Sequence, residues 1–90
     1  MKCYLISYDL INRRDYNVLY DAIRSYGTWA KINESLWAIV TTQSALQIYE
    51  NLIKFVDNDD RLFVIKSGGE AAWINAISSD DWLKSNLIKK

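Results

Sequence analysis

The run Lys2-Cys3-Tyr4-Leu5-Ile6-Ser7-Tyr8-Asp9-Leu10 is apolar, aromatic-rich and closes on a carboxylate. A stretch of this kind, bounded by a polar turn, reads as a β-strand. Successive side chains of a strand point to opposite faces, so Cys3, Leu5, Ser7 and Asp9 share one face and Tyr4, Ile6 and Tyr8 the other. Neither face is polar along its length, which places the strand in the centre of a sheet with cover on both sides. Asp9 then stands at the end of a buried strand, as a structural cap or as the start of a site.

The 90 residues suit one domain. Half are hydrophobic and 24% charged, a globular balance that excludes a disordered chain. Eleven basic residues match eleven acidic ones, so the net charge is zero. That argues against a general polyanion binder, whose affinity comes from released counterions, but leaves room for a local basic patch. Cys3 is the only cysteine and there is no histidine. Intrachain disulfides, His-based acid–base chemistry, Ser-His-Asp triads and the usual zinc sites are therefore excluded. Any catalysis runs through carboxylates, Tyr, Lys or a metal held by oxygens. The sequence shows neither a signal-peptide pattern nor an apolar run of membrane-spanning length, so the expected location is cytoplasmic.

After a polar connection carrying Arg13 and Arg14, Tyr16, Leu19, Tyr20, Ile23 and Tyr26 recur at helical spacing, and Gly27 follows as a left-handed stop. Thr28–Ile32 and Leu36–Thr41, separated by Asn33-Glu34-Ser35, read as an antiparallel hairpin. Ser44 with Gln47 is a capping-box signature ahead of a helix bearing Ala45, Ile48, Tyr49, Leu52, Ile53 and Val56. Asp57-Asn58-Asp59-Asp60 reads as a solvated turn, lacking the glycine and distal glutamate of a calcium loop. Arg61–Lys66 is a fourth strand, closed by a Ser67-Gly68-Gly69 turn with no phosphate-loop pattern. Glu70–Ile77 suits a short fifth strand or an extended arm. Ser78 or Ser79 then caps a final helix, with Asp80 and Asp81 in its first turn and Lys89 and Lys90 at its end, an order that suits the helix dipole.

This order predicts an α+β fold: a ferredoxin-like βαββαβ antiparallel sheet over residues 1–67 with two helices on one face. Residues 68–90 add a C-terminal arm or strand and a short helix to the same domain. With both long helices on one face, the other face leaves about five large side chains in water. At about 1.5–3 kcal/mol each, that exposure costs on the order of 10 kcal/mol, against a total domain stability of about 5–15 kcal/mol. The face must be covered. The arm shields part of it and a second copy of the chain is the simplest cover for the rest. A homodimer is expected, with Trp73 and the arm placed to cross to the partner.

Several local patterns together carry a family resemblance. They are Tyr8-Asp9-Leu10, the helix opening Asp15-Tyr16 with Leu19-Tyr20 and Ala22-Ile23, Ser35-Leu36-Trp37, Gly69-Glu70-Ala71-Ala72-Trp73 and Asp81-Trp82-Leu83-Lys84. These resemble the SinR-like small proteins, which are similar to the CRISPR-associated small endonuclease of spacer acquisition and to virulence-associated protein D. The SinR-like resemblance spans nearly the whole chain; that to the nucleases rests on Tyr-Asp-Leu, the Ser35 position and the element order. It implies a ferredoxin-like homodimer in which the acid matched by Asp9 is catalytic and approaches its twin across the dimer axis. Close carboxylates repel unless a cation sits between them, so the resemblance implies magnesium held by Asp9. Ser7, Tyr8, Arg13 and Arg14 are then the expected substrate contacts on an RNA or DNA phosphodiester. No membrane and no small-molecule cofactor are expected.

A non-catalytic reading stands beside this one. Asp9 can cap the following turn or pair with Arg13 or Arg14. The protein is then a dimeric adaptor of phage, mobile-element or toxin–antitoxin type, binding nucleic acid or protein without turnover.

Overall fold

The computed structural model describes residues 1–11 and 16–88. Arg13, Arg14, Asp15, Lys89 and Lys90, invoked above, lie outside the described residues. Strand β1 (Lys2–Asp9) is followed by helix α1 (Asn17–Arg24), the hairpin β2 (Thr28–Asn33) and β3 (Leu36–Thr41), helix α2 (Ala45–Leu52) with a 3-10 turn (Ile53–Phe55), strand β4 (Arg61–Lys66) and helix α3 (Asp80–Asn86). The four strands form one antiparallel sheet in the order β2-β3-β1-β4. Each crossover therefore passes over one strand, and the strand with no polar face lies between two neighbours, as its sequence requires. The α+β class holds.

One face of the sheet carries Tyr4, Ile6, Tyr8, Trp37 and Ile39. These bury against Leu19 and Ile23 of α1 and Ile48 and Leu52 of α2, with Tyr16 closing the cluster. The helix boundaries follow from local chemistry. Ser44 and Gln47 form the reciprocal capping box at the start of α2. The Ser79 hydroxyl accepts from Trp82 N at 3.2 Å at the start of α3, where Asp80 and Asp81 face the helix N-terminus. Gly27, with φ +88°, occupies the left-handed region beyond α1 that a side chain would resist.

The second face is covered from within the chain over half its width. Leu83 and Leu87 from the α3 region pack on Ile32 and Ala38, with Cys3, Leu5, Leu36 and Trp82 around them. Trp73 joins this cluster in its own chain and donates from Nε1 to Asp80 Oδ1 at 2.9 Å. Residues 67–79 form the extended arm rather than a fifth strand. Asn75 sits at φ 56°, a left-handed conformation that an asparagine tolerates and a strand cannot continue through. Ile77 N donates to Ile32 O at 2.8 Å and anchors the arm to the β2 edge. On the β4 side of this face, Phe63 and Ile65 stay 62% and 49% exposed. The bare area is a strip along the β1–β4 edge rather than a whole sheet face, because α3 lies over the β2–β3 side. Among the described residues no helix is long and apolar enough to cross a membrane.

Candidate functional site

Asp9 ends β1 on the face that α3 partly covers. In the β1–β4 register it pairs with Arg61, and Ser7 pairs with Phe63. Directly opposed residues of an antiparallel pair share a face, so Ser7, Asp9, Arg61 and Phe63 stand together on the uncovered strip. Arg61 Nη1 donates to Asp9 Oδ2 at 2.8 Å, with the two side chains 70% and 63% exposed. Ser7 is exposed beside them. Asp9 thus pairs with a residue of β4; Arg13 and Arg14, the partners expected from the following loop, lie outside the described residues. An exposed pair of this kind contributes about 0–1 kcal/mol to stability. Its chemical interest is that a carboxylate and a guanidinium meet in solvent at the end of a rigid central strand.

Tyr8 corrects one expectation. It was expected among the substrate contacts, but strand alternation turns it to the helix face, where it is 6% exposed. Its hydroxyl accepts from Trp37 Nε1 at 2.9 Å and donates to the Glu34 carbonyl at 3.1 Å, while Tyr8 N donates to Ser35 O at 3.1 Å. Burial pushes the phenol up to about 12. Tyr8 therefore locks the β2–β3 turn to β1, and its side chain is turned away from the Asp9 face. The resemblance-bearing Ser35 contributes its backbone carbonyl to the same lock.

Asp60, in the turn before β4, is not simply solvated but holds together the elements beside the site. Asp60 Oδ1 accepts from Ile11 N at 2.9 Å and from the Tyr16 hydroxyl at 3.2 Å, and Oδ2 accepts from Asp57 N at 2.8 Å. One side chain joins the end of β1, the entry to α1 and the turn before β4. The available signal was an acid immediately ahead of a strand. Its partners, 49 and 44 residues away, appear only once the sheet is assembled.

The donor set near Asp9 is sparse. Among the described residues no group of three or more His, Cys, Asp or Glu side chains converges as a metal site. Magnesium takes one or two carboxylates and fills its remaining positions with waters and substrate phosphate. Asp9, with the Ser7 hydroxyl on the same face, fits that small protein share of one carboxylate. A cavity of about 510 Å³ lined by Lys2, Cys3, Lys66, Gly68 and Asn86 opens at the other end of β1 and contains none of these groups. No protein-family model matches the sequence.

Proposed function

We propose that the protein is a homodimeric, divalent-cation-dependent nuclease of the CRISPR-associated small-endonuclease type, with Asp9 as its catalytic carboxylate. The observation that carries this reading is the Asp9–Arg61 pair, exposed on the strip of sheet that α3 leaves bare. A second copy seated on that strip would bury what Phe63 and Ile65 still expose, together favourable by about 1.5–3 kcal/mol. A two-fold interface presents the same patch from both chains, so it brings two Asp9 side chains towards one axis.

Each side chain then has a distinct task. Asp9 holds the cation. Arg61, released from Asp9, grips a non-bridging phosphate oxygen through charge-assisted hydrogen bonds. The Ser7 hydroxyl hydrogen-bonds the phosphate or sugar and fixes the strand's position. Magnesium, when bound, supplies a readied water nucleophile and positive charge for the departing oxygen. The test is cleavage of end-labelled single- and double-stranded RNA and DNA, with magnesium and with chelator, by wild type and Asp9→Asn. Magnesium-dependent cleavage lost in Asp9→Asn supports the proposal; equal cleavage by both proteins, or none by either, overturns it.

A second reading is favoured by the same pair viewed differently. Arg61 already neutralises Asp9, and the chain as a whole carries no net charge. A non-catalytic dimeric adaptor needs nothing more from Asp9 than this contact. It predicts partner binding without turnover, unchanged when Asp9 and Arg61 are replaced together by a neutral pair.

A further inference from the structure

Strand β2 is an edge of the sheet, and a tryptophan meets it on each side. Trp29 lies on the helix face, with its ring centroid 5.4 Å from that of Trp37. Trp82 comes from the first turn of α3 on the other face. Between them runs a slot of about 270 Å³ whose walls include Trp29, Lys31, Ile77, Ser78 and Trp82. Trp29 keeps 39% of its surface in solvent although an apolar core is directly beneath it. Two cations attend the aromatic group. Arg24 Cζ lies 5.6 Å from the Trp29 centroid and 5.4 Å from that of Trp37, and Lys31 Nζ lies 5.7 Å from the Trp37 centroid.

We propose that this edge is a base-stacking site for single-stranded nucleic acid, with a nucleobase in the slot against Trp29 and its phosphates on Arg24 and Lys31. Aromatic platforms flanked by cations bind single strands in this way, because every base has a π-face and every linkage a charge. The cations beside the exposed ring favour an occupant that combines a flat π-face with negative charge. The charges also give a direction. Arg24, which also pairs with Asp21 at 3.3 Å, and Lys31 flank the Trp29–Trp37 rings, whereas Ile77, Ser78, Ser79 and Trp82 on the other wall carry no charge. The phosphate backbone therefore runs on the Arg24–Lys31 side, and the base points towards Trp82. The site goes beyond the proposed cleavage at Asp9, since it requires neither a second copy nor a metal.

The experiment is fluorescence anisotropy of a labelled oligothymidylate with the full chain in chelator, at low and moderate salt, so that no turnover interferes. Trp29→Ala should weaken binding about tenfold, and Trp29→Phe, which keeps a stacking ring, should restore most of the affinity. Replacing Arg24 and Lys31 with Gln should flatten the logarithmic salt dependence by about 0.7 per phosphate contact removed. Absence of binding by wild type, or equal binding by wild type and Trp29→Ala, overturns the site, as does capture of an aromatic peptide with no affinity for the oligonucleotide. The outcome is separable from that of the cleavage assay. Trp29-dependent binding without cleavage leaves this site standing and removes the nuclease, and Asp9-dependent cleavage with Trp29-independent binding does the reverse.

Discussion

Asp9 and Arg61 face each other across the β1–β4 ladder, 52 residues apart in sequence and 2.8 Å apart in space. Both remain in solvent, so the fold gains little from holding them together. Asp9→Asn and Arg61→Ala should each leave the unfolding free energy within about 0.5 kcal/mol of wild type, as for ordinary surface substitutions. Denaturant melts check this directly. A loss of several kcal/mol would make the pair a structural element and remove the reason to look for chemistry there.

Asp60 presents the opposite case. Its carboxylate accepts from two backbone amides and the Tyr16 hydroxyl, and hydrogen bonds to a charged group are worth about 1.5–3 kcal/mol. Asp60→Ala should destabilise by at least that amount, whereas Asp59→Ala, at an exposed neighbour, should fall within about 0.5 kcal/mol. Hydrogen exchange should show the Ile11 and Asp57 amides losing protection in the Asp60 variant alone.

Tyr8 makes stability sensitive to alkali. Its phenol is raised to about 12 when folded, against about 10 in the unfolded chain. The unfolded state therefore releases its proton first as pH rises. The stabilisation is complete below about pH 10 and is lost as pH climbs towards about 12. Thermal melts across this interval should show a falling midpoint that is shallower in Tyr8→Phe. The same variant leaves the buried Trp37 Nε1 without its acceptor, at a cost of about 1–3 kcal/mol near neutral pH.

Phe63 and Ile65 test the assembly. If a second copy covers the β1–β4 strip, Phe63→Glu should convert the sedimenting species from dimer to monomer, since a charge in the middle of an apolar interface cannot be buried unpaired. The monomer should keep its fold, because Phe63 is already 62% exposed in the single chain. A wild type that sediments as a monomer in dilute solution would remove the paired Asp9 site with it.

Much of this architecture is written locally. The alternation of Tyr4, Ile6 and Tyr8 against Cys3, Leu5 and Ser7 assigns both faces of β1. Ser44 and Ser79 mark two helix starts through bonds to residues three positions on. Gly27 marks the end of α1. These signals survive in a bare sequence because each depends on neighbours within one turn or one strand.

Sequence alone therefore determined the strands, the helices, their caps and the presence of an acid at the end of the central strand. Tertiary structure decided the partners: Arg61 for Asp9, Trp37 and Glu34 for Tyr8, Ile11 and Tyr16 for Asp60, and α3 over half of the face that the first six elements leave open. The division has one physical cause. Backbone preference and side-chain alternation act over a few residues, whereas the register between β1 and β4 is fixed only when distant apolar faces pack, and that register brings Arg61 to Asp9.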